Sequence, residues 1–350
     1  MSEEPIVVCL GYPALLADRY VDRVRAISPC IEVVGMPVDP DADWVTVPPD
    51  KPHEEPPAWA VGCADERREA LARAEVLIQL HTPDDLMALA PRLRWLQGIG
   101  AGVDQFAVAG VTQDRVVVTN ASGVSAGSMA EFVIGRLLQV WKRFPEAEAH
   151  QREHAYVRTY GRTFAGSVVG IVGLGHIGEA VARRASAMGV RVLGSKRRVS
   201  ADDLAASAAD EIFPPDRLHE MLGRCDAVVV CAPATPETHH LIDRAAFEAM
   251  KPGTMLVNVA RGSLVDEDAV LDALGSGQLS AAALDVFEQE PLREDSPFWD
   301  APNVFVSAHS SVSVDRYLDD VFDLFEENLR RYVAGEPLRN RVDMEALGFG

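Results

Sequence analysis

Short apolar runs alternate along the chain with stretches whose apolar residues recur at helical spacing. Ile6–Leu10, Ile31–Val34, Val76–Leu80, the run from Arg94 into Gly98, and Val116–Thr119 read as strands. Leu15–Ile27 and Arg67–Ala74 read as the helices between them, and the Pro- and Asp-rich stretch Pro37–Pro57 as irregular loop. A longer helix is predicted over Ser128–Val140, with Met129, Phe132, Val133, Leu137 and Val140 along one face. Six further apolar runs follow: Val168–Val172, Val190–Leu193, Ala227–Val230, Met255–Val257, Ala282–Leu284 and Val304–Ser307. Strand and helix in alternation mean parallel sheets covered on both faces. The second series predicts a six-stranded doubly wound sheet. The helix Asp319–Tyr332 comes after that sheet is complete and is expected to pack back on the first domain.

Length and charge narrow the function. At 350 residues two domains are expected. The chain is 48% hydrophobic and 25% charged, as ordinary globular proteins are. A net charge of −20 repels a phosphate backbone and an anionic membrane surface, so neither nucleic acid nor membrane is expected as partner. The acidic start is not that of a signal peptide, and no run approaches the ~18 apolar residues of a membrane span. Cys9, Cys30, Cys63, Cys225 and Cys231 are scattered without CxxC or zinc spacing. That pattern suits a reducing compartment, the cytoplasm, and no metal is expected.

The strongest single motif is Gly173-Leu174-Gly175-His176-Ile177-Gly178. It follows the strand Val168–Val172 and opens a helix whose Ile177, Val181 and Ala185 share a face. In that context GxGxxG is the fingerprint of a dinucleotide-binding βαβ unit. Gly173 permits the tight turn, Gly175 lets backbone approach the pyrophosphate, and Gly178 lets helix pack on strand. The helix N-terminus then offers N–H groups to the phosphates. An NAD site wants Asp or Glu at the end of the next strand, for the ribose 2′-hydroxyl. Here the chain reads Ser195-Lys196-Arg197-Arg198. Lysine occurs elsewhere only at Lys51, Lys142 and Lys251, so three adjacent bases at this tip stand out. They predict NADP, with NAD possible.

Arg261, Glu290 and His309 each follow a strand of the second series. Ligands of open α/β sheets bind outside the carboxyl ends of the strands. Alone, each has an ordinary structural reading; the set at three successive strand ends points to a site.

The chain resembles the D-2-hydroxyacid dehydrogenases over nearly its whole length. The motifs are Gly100-Ala101-Gly102-Val103-Asp104, Asn120-Ala121-Ser122-Gly123, Ala130-Glu131, the GxGxxG turn, and Cys231-Ala232-Pro233-Ala234-Thr235-Pro236-Glu237-Thr238. The Arg261, Asp285/Glu290 and His309 segments and the tail Asn328–Leu338 complete them. The resemblance implies two doubly wound parallel-sheet domains. A flavodoxin-like substrate domain would span 1–119 and 316–350, and a Rossmann-type cofactor domain 120–315. Arg261 would bind the substrate carboxylate and polarise the 2-oxo group, as a fork of donors can. His309 would be the general acid, and Glu290 would orient its imidazole. Backbone at Ala101 and Gly102 would hold the other end of the carboxylate. Cys231, Ala232, Pro233, Val259, Ala260 and Asp285 would line nicotinamide and ribose.

Two departures touch the substrate. Many members have Pro before the His and Gly-Gly shortly after it, where this chain has Ala308 and Ser310-Ser311-Val312-Ser313. The end near residue 350 would leave no room for the C-terminal regulatory domain of many phosphoglycerate dehydrogenases. Glu290 argues against the formate-dehydrogenase branch, which carries Gln there. The expected activity is reduction of a small 2-oxo acid such as glyoxylate or hydroxypyruvate. The alternatives are oxidation of an unusual substrate such as phosphite, and a dinucleotide-sensing corepressor. A homodimer is expected from the apolar Ser128–Val140 helix and the aromatic segment with Trp141, Phe144, Tyr156 and Tyr160.

Overall fold

The computed structural model describes residues 4–36, 64–80, 82–313 and 316–347. The expected loop Pro37–Pro57 and Cys63 lie outside them. The chain forms two compact units, Met1–Val124 with Asp315–Gly350, and Ser125–Val314. Among the described residues, no helix is long and apolar enough to cross a membrane.

The first unit is built on β1 (Ile6–Leu10), β2 (Ile31–Gly35), β3 (Val76–Gln79), β4 (Trp95–Gly98) and β5 (Val117–Thr119). All pair in parallel, in the order β2-β1-β3-β4-β5, with Val8 beside both Val33 and Val76. That is the flavodoxin-like order. The inner strands are buried on both faces, which is why they read as unbroken apolar runs. The expected helix Leu15–Ile27 is divided. Ala17 is extended and separates a tight turn, Pro13–Leu16, from the helix Asp18–Arg25.

The last helix, Tyr317–Ala334, belongs to this unit. Its Phe322 and Phe325 meet Tyr20 and Trp95 at ring-centroid distances of 4.6 and 5.3 Å. At its rim the Arg23 Nε donates to Glu326 at 2.7 Å, and the Tyr20 hydroxyl to Asp319 at 2.7 Å.

The second unit carries β6 (Val168–Val172), β7 (Arg191–Ser195), β8 (Glu211–Phe213), β9 (Ala227–Val230), β10 (Thr254–Asn258), β11 (Leu279–Leu284) and β12 (Val304–Val306). The parallel order is β12-β11-β10-β9-β6-β7-β8, seven strands among the described residues where six were expected. The missed strand, β8, is a three-residue edge strand opening on Glu211. That carboxylate is bound by Arg224 and Arg191 at the sheet margin. A search for apolar runs passes over such a strand.

Helix Ala126–Trp141 buries Met129, Val133 and Leu137 and packs against helix His176–Ala187. Trp141 is itself buried, 5.3 Å from the Phe164 ring, with the Arg162 guanidinium 4.1 Å from its centroid. It therefore belongs to the core of this unit, not to the exposed apolar surface expected of it. Phe144, Tyr156 and Tyr160 are exposed.

Candidate functional site

The turn after β6 meets the steric demands of a phosphate cradle. Gly173 has φ +101°, and a Cβ there would sit 2.6 Å from the Ala232 backbone. A Cβ on Gly178 would lie 2.2 Å from the Gly173 carbonyl. Around Gly175 there is open space, so the face the pyrophosphate would approach is clear. Helix His176–Ala187 starts there, with its first N–H groups and partial positive charge directed at the turn. The close packing around Gly173 and Gly178 and the open space at Gly175 thus fit a dinucleotide.

The turn is fastened to β7. The Ser195 carbonyl accepts from the N–H groups of Gly173 and Leu174. Gly194 makes room for Leu174: a Cβ there would fall 2.1 Å from its Cδ1. Ser195 is buried, and beyond it Lys196 is half-buried, while Arg197 and Arg198 are exposed. Lys196 lines a depression of about 430 Å³ with Leu174, Gly175, His176, Glu179 and Arg183. Glu179 is turned to structure, accepting from Ser207 Oγ at 2.6 Å and Ala208 N–H at 3.2 Å. Near Arg197 stands Glu237. Its carboxyl is held low by its own backbone N–H, then by the Thr235 hydroxyl, with Arg197 adding to both.

The segment Cys231–Pro233 follows β9 and packs on Gly173; Cys231 N–H donates to the Val172 carbonyl at 2.8 Å. Burial pushes the Cys231 thiol up to about 12, so it is an uncharged wall at neutral pH.

The three strand-end residues form one constellation. After β10, the buried Asn258 shapes the turn that carries Arg261. Its Oδ1 accepts from Ala260 N–H and its Nδ2 donates to the Arg261 carbonyl, both at 3.0 Å. Val259 and Ala260 are buried beneath. Gly262 then lies so close to Phe287 and Glu288 that a Cβ would overlap their backbone, at 1.9 Å. This brings the Arg261 turn against the segment bearing Glu290.

His309 Nδ1 and Glu290 Oε2 are 2.8 Å apart, and Glu290 Oε1 accepts from Phe287 N–H at 3.0 Å. Burial alone would raise the Glu290 carboxyl. The bonds from His309 and Phe287, with the charges of His309 and Arg261, outweigh it and hold the carboxyl below its ordinary value. An ionised carboxylate only accepts, so Nδ1 carries the proton and Nε2 is the nitrogen left for proton exchange.

His309 stands at φ +49°, a conformation that costs energy and concentrates at functional sites. Asp285 holds it there. Its backbone carbonyl accepts from His309 N–H at 2.8 Å. Its carboxylate takes bonds from Ser307 Oγ at 2.6 Å, Ser310 N–H at 3.0 Å and Ser311 N–H at 3.1 Å. Asp285 is buried under the His309 loop, with both oxygens engaged within the protein. The two bonds from the loop after His309 come from backbone N–H groups, which any residue but proline supplies.

A link that sequence reasoning missed joins these loops from the other side. His240 Nε2 pairs with Glu288, and Glu288 N–H donates to Glu267 at 2.8 Å. The His240 backbone donates to the Ser263 carbonyl at 2.8 Å. In the first unit, Ala101 is exposed and Gly102 half-buried in the turn after β4. Among the described residues, no group of three His, Cys, Asp or Glu side chains could hold a metal ion.

Two parallel α/β units, one with a dinucleotide turn and an Arg–Glu–His set at its strand ends, define the class. The chain belongs to the D-isomer specific 2-hydroxyacid dehydrogenases, whose NAD binding domain matches residues 134–311. It is similar to D-3-phosphoglycerate dehydrogenase of Mycobacterium tuberculosis, 37% identical over 74% of this chain and 49% of that protein. The chain thus spans about half the length of these relatives. Glyoxylate reductase of Korarchaeum cryptofilum is 32% identical over 80% of this chain and 86% of that one. Among solved structures, the NADPH-dependent glyoxylate/hydroxypyruvate reductase of Sinorhizobium meliloti, in complex with NADP and sulfate, superposes with a TM-score of 0.76. It is 27% identical, covering 99% of this chain and 100% of that one.

Proposed function

We propose that this chain is a reductase of small 2-oxo acids, such as glyoxylate or hydroxypyruvate, that yields the D-2-hydroxy acid and prefers NADP(H). The observation that carries it is the 2.8 Å His309–Glu290 pair on the strand-end edge that also bears the dinucleotide turn. Relatives named glyoxylate reductase and an NADP-bound neighbour support it. The unit Ser125–Val314 binds the dinucleotide and the other unit is the substrate domain. Gly173, Gly175, His176, Ile177 and Gly178 hold the pyrophosphate. Cys231, Ala232, Pro233, Val259 and Ala260 wall the nicotinamide side. When bound, the nicotinamide supplies the reducing equivalent. Arg261 takes the substrate carboxylate and polarises the oxo group, and in the substrate domain Ala101 and Gly102 are the substrate-binding backbone. His309 Nε2 gives its proton to the carbonyl oxygen, and Glu290 stabilises the imidazolium beforehand. Chiral chromatography of the product formed from glyoxylate homologues with NADPH tests this; an L-alcohol or a racemate would reject it.

The sign of the pH dependence follows. Reduction needs His309 protonated and Glu290 ionised, so kcat/KM should climb as pH falls. It should drop only where Glu290 takes a proton. That carboxyl is held below its ordinary range by the bonds from His309 and Phe287, so the acid limb is expected below the pH where a free carboxylate titrates. Glu290→Gln should remove that limb and lower the plateau, as a pH series of kcat/KM would record.

We also propose a homodimer. Phe144, Tyr156, Val157 and Tyr160 are 50–100% exposed within one segment of the second unit. Apolar surface of this kind marks an interface. Light scattering at micromolar concentration should give twice the 37.9 kDa chain mass; the monomer mass alone would refute it.

A further inference from the structure

Two consecutive N–H groups of the segment that bears Glu290 serve two carboxylates. Phe287 N–H donates to Glu290 Oε1 at 3.0 Å. Glu288 N–H donates to Glu267 Oε1 at 2.8 Å, at the first residue of helix Glu267–Ser276. The Phe287 ring is buried, 5.6 Å from that of Phe298, and the backbone of both residues lies against Gly262. The Glu288 side chain is the remaining handle on this segment, and His240 Nε2 holds it.

His240 is held in turn. Its N–H donates to the Ser263 carbonyl at 2.8 Å. Ile242 N–H donates to the Leu264 carbonyl at 3.0 Å, and the Ile242 carbonyl accepts from Asp266 N–H at 3.1 Å. Residues 240–242 thus run beside 263–266, the stretch that follows Arg261. The His239 ring stacks on that of His240 with centroids 4.0 Å apart. His240 stands at φ +48°, a conformation that a residue with a Cβ keeps only where its surroundings fix it. Ordinary surface ion pairs join long side chains that are free to move. This one joins a ring on a fixed backbone to a segment already fixed by Glu267, Phe298 and Gly262.

We propose that His240 is a positioning residue for the reduction: through Glu288 it sets the backbone of Phe287 and Glu288, and with it the hydrogen bond from Phe287 N–H to Glu290 that aims this carboxylate at His309. The role rests on the reductase reading. The whole chain of contacts, from His240 through Glu288, Phe287 and Glu290 to His309 Nδ1, lies within the second unit. Burial raises the Glu290 carboxyl; the bonds from His309 and Phe287, with the charges of His309 and Arg261, bring it down. Weakening the Phe287 bond therefore moves Glu290 up, and it takes its proton at a higher pH. The other titratable groups facing the link are His239, Glu267 and Asp268, and the variants below leave all three in place. The Arg261 turn is tied to Asn258 and to backbone groups, so losing the His240 ring leaves it standing.

The test is kcat and KM as functions of pH, with NADPH and the better of glyoxylate and hydroxypyruvate. It compares wild type, His240→Asn, Glu288→Ala, the double variant and Glu288→Gln. Asparagine accepts the positive φ but does not reach Glu288. The two side chains are 36% and 42% exposed, so melting temperature and NADPH affinity should stay at wild-type values. Each single variant should lower kcat about tenfold with KM unchanged, and should move the acid limb to higher pH. The double variant should also lose about tenfold, because one link is broken once. Glu288→Gln keeps an acceptor for Nε2 and should recover most of the lost kcat. An unchanged kcat and acid limb in both single variants would overturn the positioning role and leave the reductase reading standing. So would losses that multiply to about a hundredfold in the double variant, or Glu288→Gln as impaired as Glu288→Ala. Turnover of neither acid by wild type would overturn the reductase reading and this role with it.

Discussion

His309→Ala is expected to lower kcat for 2-oxo acid reduction by about 10²–10⁴-fold while the melting temperature stays unchanged. The imidazole is about half exposed and its contact is with Glu290, so removing it opens no cavity in the core. Arg261→Ala should cost as much, with a larger share in KM, because the fork that binds the carboxylate is lost with the polarising charge. Its turn should survive, since Asn258 bonds the Arg261 backbone, not the side chain. Stopped-flow single turnovers would separate the two variants. Near wild-type kcat for His309→Ala on the best 2-oxo acid would remove His309 from the proton-donor role.

The second large effect is cofactor preference. NADPH should exceed NADH by about a hundredfold in kcat/KM. Two charge-assisted bonds from Lys196 and Arg197 to the 2′-phosphate, each about 1.5 kcal/mol at a wet strand tip, sum to about 3 kcal/mol. At 1.4 kcal/mol per decade that is about two decades. Arg183 lines the same depression as Lys196 and adds a third positive charge, while Glu237 near Arg197 works against the phosphate. Ser195 is buried at the end of β7, so the bases carry the recognition. Added salt should shrink the preference, since exposed pairs are screened. Lys196→Asp with Arg197→Ala should move the enzyme toward NADH. Equal kcat/KM for the two cofactors in wild type would contradict this reading of the basic tip.

How far the sequence could be read depended on the kind of signal. Buried parallel strands are apolar on both faces, so β1, β6 and β9 stand where the apolar runs put them. β8 escaped because an edge strand opening on a paired glutamate has no such run. The break at Ala17 escaped because Leu15 and Leu16 satisfy helical spacing as well as they satisfy burial in a separate turn. At the site, residue types and strand-end positions pointed to Arg261, Glu290 and His309, and the structure brings His309 and Glu290 to 2.8 Å with the Arg261 charge acting on Glu290. The bonds Asp285 makes within the protein were not legible. Its carboxylate meets Ser307, Ser310 and Ser311 only once β11 and β12 lie side by side. Trp141 misled for the converse reason: an aromatic in a connecting segment reads as exposed until Phe164 and Arg162 close over it.

The most direct test is NADPH consumption by the purified protein with glyoxylate, hydroxypyruvate and pyruvate, in wild type and His309→Ala. The expected result is oxidation of NADPH that depends on the 2-oxo acid and is lost in the variant, with NADPH binding retained by both. Tight binding of NADPH by wild type without consumption on any of the acids would contradict it, and would make the chain a dinucleotide-binding protein instead of a reductase.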